Sequence, residues 1–244
     1  MTDIYTVAVQ KGGTGKTATA AMLAQAAAYR GMKALALDLD PQGNLSFELA
    51  ADTRQGSTFN LLAGTPAKEL IQHTRQGLDI IPAAWSLATE QTARGSARRL
   101  EEALKPIKRQ YDIIIIDTPP TAGELQYNAL QAATGLIIPL MADIHSLQAL
   151  YQIVDTAREI SKTNKALEIT GIVITQLDRR STLAKQMQQM IIDRAEELDI
   201  PYLGAIRNGI AVKEAAALQQ SLFEYAPKSK PAADYLDLFD KIIK

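Results

Sequence analysis

Gln10-Lys11-Gly12-Gly13-Thr14-Gly15-Lys16-Thr17 follows an apolar run at residues 4–9 and opens an alanine-rich stretch at 17–29. Three glycines within four positions let a backbone turn tightly and aim its N–H groups inward. Set at the start of a helix, those groups form a cradle for a polyphosphate. In such a loop Lys16 reaches the β- and γ-phosphates and the Thr17 hydroxyl ligates Mg²⁺. The general pattern asks for a glycine five residues before Gly15. That place is Gln10 here, and a second lysine, Lys11, begins the loop.

Working outward, short aliphatic or β-branched runs at 4–9, 34–37, 78–81, 113–116, 136–140, 169–175 and 202–206 alternate with helical patterns. The helices are expected at 17–29, 96–104, 123–133, 146–161, 182–198 and 232–243. Alternation of this kind, with strands apolar along their whole length, predicts an α/β fold. Its sheet is mostly parallel and twisted, with helices on both faces. Residues 50–77, with Gly56, Gly64, Pro66 and Gly77, are the least regular. They read as an insertion over one end of the sheet, within a single domain spanning 1–244.

Composition excludes several functions. The chain has 244 residues, 26 Lys+Arg against 27 Asp+Glu and a formal charge of −1, so any nucleic-acid binding must use a local patch. It has no cysteine, which rules out disulfides, a thiolate metal site and a cysteine nucleophile. His73 and His145 stand far apart, arguing against a histidine metal centre. No apolar run reaches 18 residues, and Met1-Thr2-Asp3-Ile4 lacks the features of a signal peptide. A cytoplasmic protein is expected.

Two acidic segments complete the candidate site. Asp112-Ile113-Ile114-Ile115-Ile116-Asp117-Thr118-Pro119-Pro120 is a hydrophobic strand ending in an acid, an arrangement in which Asp117 holds Mg²⁺ through water or bonds Thr17. The prolines turn the chain out beyond the carboxyl edge of the sheet, where ligands bind in open α/β folds. Asp38-Leu39-Asp40-Pro41-Gln42-Gly43-Asn44 follows the second strand.

Lys-Gly-Gly-x-Gly-Lys-Thr, at residues 11–17, resembles the deviant Walker A signature of the ParA/Soj/MinD branch of P-loop ATPases. The resemblance covers essentially the whole chain and is closer to the short ParA/Soj partition ATPases than to other branches. It implies ATP and Mg²⁺ as cofactors, with Gly12, Gly13, Thr14, Gly15, Lys16, Thr17 and Ala18 around the nucleotide. It also implies that Lys11 reaches across a dimer interface to the partner's nucleotide, acting like an arginine finger. Asp40 matches the carboxylate that orients or deprotonates the attacking water, and Asp38 lies nearer the Mg²⁺ hydration shell. Asp178, Arg207 and Asn208 correspond to the adenine side.

The same resemblance implies an ATP-bound homodimer that coats DNA without base readout and is released when a ParB-type adaptor stimulates hydrolysis. In that state the protein is nucleoid-associated. Candidate DNA contacts are Lys185, Arg194, Lys213, Lys228 and Lys230, with Arg179 and Arg180 near them. Only ten residues precede Lys11, so no operator-reading module is expected. The tail, with Asp234, Asp237 and Asp240, suits a helix packed by Tyr235, Leu236, Phe239 and Ile243 better than a lipid anchor, so no membrane partner is expected. Arg94, Arg98, Arg99, Lys105, Lys108 and Arg109 read as a solvated helix face. Met141-Ala142-Asp143-Ile144-His145-Ser146 departs from the family's Gln-x-Glu stretch. Alternatives are ATP-driven positioning of a protein cargo, a MinD-like positioning ATPase and, on the same fold, an ATP-dependent metabolic ligase.

Overall fold

Four consecutive isoleucines are stable in a strand only where both of its faces are covered. In the computed structural model, which describes residues 2–90 and 97–243, Ile113 and Ile115 point into one hydrophobic layer. Ile114 and Ile116 point into the other. The neighbouring strand repeats the alternation, with Ala34 and Ala36 on the first side and Leu35 and Leu37 on the second.

The strands of this sheet are β1 (Asp3–Val7), β2 (Ala34–Asp38), β3 (Gln72–His73), β4 (Asp79–Ile81), β5 (Ile113–Asp117), β6 (Gly135–Met141), β7 (Glu168–Leu177) and β8 (Tyr202–Arg207). Their order is β3-β4-β2-β5-β1-β6-β7-β8, and each neighbouring pair is parallel except β3 with β4. The α/β architecture expected from the sequence is the one observed. The short antiparallel β3 was not anticipated, because two residues carry no periodicity.

One face of the sheet is covered by helices Lys16–Tyr29, Ile210–Ala217, Leu222–Tyr225 and Lys230–Ile242. Thr58–Leu62, Arg99–Leu104, Glu124–Ala132, His145–Ile160 and Thr182–Glu197 cover the other. Helix Lys16–Tyr29 is buried from Thr19 through Ala27 because it is sandwiched between the sheet and the C-terminal helices. Alanine suits that place, combining the best helix propensity with a side chain small enough for close approach on every side. Ser96, the expected start of the helix at 96–104, and Arg94 lie outside the described residues.

Within residues 50–77 the chain forms helix Thr58–Leu62, capped where Asn60 Oδ1 accepts from the Ser57 N–H at 3.1 Å. Thr58 ties this segment to the sheet: its hydroxyl donates to the Asp38 carbonyl at 2.6 Å and its N–H to the Pro82 carbonyl at 2.8 Å. The terminal helix buries Tyr235, Leu238, Phe239 and Ile242, whereas Leu236 and Ile243 are only half-buried. Leu236 and Ile243 still pack against the same core, so the expected set holds and Leu238 and Ile242 add to it. Asp234 pairs with Arg207 and Asp240 with Arg30, while Asp237 pairs with Lys241 one turn along the same helix. No helix among the described residues is long and apolar enough to cross a membrane.

Register sets the site. Asp117 at the end of β5 pairs laterally with Asp38 of β2 on one side and with Val7 of β1 on the other. Three central strands therefore deliver two carboxylates and the glycine loop to one point on the carboxyl edge.

Candidate functional site

The loop leaves β1 and re-enters regular structure at Lys16. Gly13 and Gly15 have φ of 75° and 81°, a left-handed conformation that a side chain would strain. Gly15 caps the helix without a side-chain hydrogen bond, and the first turn holds no acid. The orphan N–H groups and the positive end of the helix dipole are thus left to serve an anion. The loop is braced from β7: the Thr175 hydroxyl donates to the Thr14 carbonyl at 2.7 Å and Gln176 Nε2 to the Gly13 carbonyl at 2.9 Å. Lys16 Nζ donates to the Lys11 carbonyl at 2.7 Å. Burial lowers the Lys16 pKa, opposed by Asp117 and Asp40. A cleft of about 380 Å³ runs past Gly12, Gly13, Gly15, Lys16, Thr17 and Ala18 to Asp40 and Asn44.

Asp38, Asp40 and Asp117 are all buried beside this cleft. Burial pushes Asp38 up to about 6, against hydrogen bonds from the Ser46 hydroxyl at 2.7 Å, the Ser46 N–H at 2.8 Å and the Asp40 N–H at 3.1 Å. Burial and then Asp38 raise Asp117 well above the usual carboxylate range, while the Thr17 side chain and Lys16 act in the other direction. Asp117 Oδ2 is buried with no hydrogen-bond partner. Crowded carboxylates with an orphaned oxygen fit a divalent cation, and the adjoining N–H cradle fits a polyphosphate. The residues therefore suit a magnesium–nucleotide complex. Glu48, at the end of helix Asn44–Glu48, is half-buried with Oε2 enclosed, and its carboxyl is raised to about 7 by burial and then by Asp38.

An AAA domain family model matches residues 2–169. The chain is 34% identical over 253 residues to the sporulation initiation inhibitor protein Soj of Bacillus subtilis, covering 99% of this chain and 98% of that protein. It is 35% identical to the chromosome partitioning protein ParA of Caulobacter vibrioides, covering 98% and 93%. The chain belongs to the ParA/Soj family of partition ATPases. A solved structure described as cobyrinic acid a,c-diamide synthase from Mycobacterium smegmatis, with bound ADP and magnesium, is also similar. Its TM-score is 0.85 at 30% identity, covering 98% of this chain and 93% of that one.

For a ParA/Soj ATPase the remaining expected residues are unevenly distributed. Lys11 does not lie over its own loop; its ammonium bonds Asp143. A small cavity of about 130 Å³ opens beside Gly15 and Ala18, lined by Thr175, Gln176, Arg207, Asn208, Val212, Lys213 and Tyr235 among others. Arg207 and Asn208 thus meet at this cavity, but the Arg207 guanidinium is held by Asp234, with Nη2 to Oδ1 at 2.5 Å and Nε to Oδ2 at 2.8 Å. Asp178 is not among the lining residues; it is exposed, and its carboxylate accepts from the Arg180 N–H at 3.0 Å.

Of the candidate DNA contacts, Lys185, Lys213, Lys228 and Lys230 are exposed. Arg194 is engaged by Glu197 and lies over the Tyr151 ring at 5.7 Å. Lys213, Arg207 and Lys230 are neighbours, since Arg207 Nη2 also donates to the Lys230 carbonyl at 3.3 Å and both Arg207 and Lys213 line the small cavity. Lys185 belongs to helix Thr182–Glu197, on the opposite face of the sheet.

Sequence reasoning gave Ser46 no site role and took Tyr235 only as a packing residue. The stretch 172–178 resembles the family's strand on the base-binding side, but nothing local shows that Thr175 and Gln176 brace a loop about 160 residues away. Asp143 stood within a stretch singled out for its departure from the family pattern, which was the available clue.

Proposed function

We propose that this ATPase is a DNA-partition switch. ATP and Mg²⁺ bind along residues 12–18, two copies close face to face, and the pair coats DNA through phosphate contacts alone. A ParB-type adaptor then stimulates slow hydrolysis and returns the protein to a weakly binding state.

One observation carries the reading. Trp85, Ile144, Leu183 and Ile210 are 71%, 57%, 64% and 72% exposed. Each follows the carboxyl end of a parallel strand, β4, β6, β7 or β8, so all four share the edge that holds the phosphate loop. Single exposed apolar side chains are ordinary, but four along the sheet edge that carries the phosphate loop fit a surface that another chain covers.

Within that pair the chain's own groups have distinct tasks. The loop N–H groups and Lys16 hold the phosphates, and Lys11 of each copy neutralises charge on the other's nucleotide. Asp40, whose Oδ1 accepts from the Gln42 N–H at 3.0 Å, orients the attacking water. Magnesium, when bound, supplies charge neutralisation on the phosphate oxygens, and Thr17, Asp38 and Asp117 are the residues that would hold it. Exposed Lys213, Lys228 and Lys230 support phosphate binding without base readout.

The likeness to the Mycobacterium smegmatis structure supports a second reading, an ATP-dependent ligase. Turnover that rises only with an added carboxylate and an amide donor would favour it. The deciding test of the switch is DNA retention with ATP, with ADP and without nucleotide. Retention confined to ATP, indifferent to sequence and falling steeply with salt, is expected. Equal retention in all three conditions overturns the proposal.

A further inference from the structure

Lys11 begins the phosphate loop, yet its ammonium is engaged within its own chain. Nζ lies 2.6 Å from both Asp143 carboxylate oxygens and 3.2 Å from Ser146 Oγ. Asp143 is held in place in turn: its Oδ1 accepts from the Ser146 N–H at 3.0 Å and from the Ser146 hydroxyl at 3.2 Å. Its N–H donates to the Met141 carbonyl at 2.8 Å, turning the chain sharply between β6 and helix His145–Ile160. The Lys11 and Asp143 side chains are 21% and 34% exposed, so water screens the pair only in part. Burial works to raise the Asp143 carboxyl, but Lys11 and Ser146 outweigh it and keep it below the ordinary range.

We infer that Asp143 is a positioning residue that holds Lys11 in cis and so sets the threshold a nucleotide must clear before two copies pair. The inference rests on the shared-pocket reading above. Lys11 has one charge and one position. To serve a partner's nucleotide it must exchange a carboxylate and a hydroxyl for phosphate oxygens. A triphosphate carries one more negative charge than a diphosphate and extends its terminal phosphate farther along the cleft, so it competes for the ammonium better. Asp143 raises the protein concentration needed for pairing with either nucleotide, so that only the more strongly held ATP state pairs at working concentrations. Each dimer breaks two such contacts, so the threshold enters twice in the pairing constant.

The test uses the full chain and four variants: Asp143→Asn, Asp143→Glu, Lys11→Ala and the double Lys11→Ala/Asp143→Asn. Asparagine keeps a side-chain oxygen to accept from Ser146, so the helix start is preserved. Light scattering with ATP or ADP, together with turnover against protein concentration, reads the threshold. Asp143→Asn is expected to lower the half-maximal pairing concentration by about fivefold per lysine, about 25-fold for a pair, and to permit pairing with ADP. Asp143→Glu is expected to restore ATP selectivity, and the double variant to lose the gain. An unchanged threshold and selectivity in Asp143→Asn, alongside lost pairing in Lys11→Ala, overturns the latch and leaves the shared pocket standing. Parent-like pairing and turnover in Lys11→Ala overturns both.

Discussion

Glu48→Gln should stabilise the fold at alkaline pH and slightly destabilise it at acidic pH. Glu48 Oε2 is buried with no hydrogen-bond partner, and burial followed by the Asp38 charge lifts the carboxyl from 4.5 to about 7. A carboxyl that binds its proton more tightly when folded favours the fold below its unfolded value. That support is lost as pH rises through about 7. At about 1.4 kcal/mol per tenfold in proton concentration, the lift corresponds to about 3 kcal/mol of stability lost by pH 8. Glutamine keeps the shape and removes the charge. Its own unpaired amide costs about 1 kcal/mol, leaving a net gain of about 2 kcal/mol at pH 8 and a loss of about 1 kcal/mol at pH 4. Urea unfolding at the two pH values, without magnesium or nucleotide, measures both. An equal effect at the two pH values, or a loss of stability at pH 8, would refute the argument that an ionised, desolvated Glu48 strains this site.

Lys16→Ala removes the buried ammonium beside Asp117 and Asp40. ATP affinity should fall at least about 100-fold by equilibrium binding, and parent-like affinity would count against the loop assignment. Asp40→Ala should keep ATP and pairing but slow hydrolysis by about 100-fold, giving a long-lived dimer in size-exclusion chromatography; loss of pairing would mean that Asp40 is structural. Replacing any one of Lys213, Lys228 or Lys230 with alanine should lower the slope of log affinity for DNA against log salt by about 1, uniformly across sequences. An unchanged slope removes that lysine from the contact surface.

The sheet was legible because its strands carry unmistakable local signals. The isoleucines of β5 have to be buried on both faces, and the glycines and Lys16 announce a turn into a helix. The carboxylates were legible too, since Asp38 and Asp117 end hydrophobic strands and parallel register brings such ends together. What escaped depends on distance in sequence. β7 braces the loop through Thr175 and Gln176, and Asp234 captures Arg207, contacts that the tertiary fold alone creates. The terminal helix was expected with Tyr235, Leu236, Phe239 and Ile243 against the core, and all four pack there, though Leu238 and Ile242 are buried more deeply than Leu236 and Ile243. Lys11 shows the limit most clearly. Its motif gives a role between chains, while its side chain meets Asp143, a residue 132 positions away.

The chain's single tryptophan, Trp85, is one of the apolar residues on the nucleotide-bearing edge. Its indole therefore serves as a built-in optical gauge. Anything that settles over that edge will dry the ring and move its emission toward the blue, without labels or added cysteines. Assembly can thus be followed in unmodified protein, second by second, as nucleotide is added and consumed.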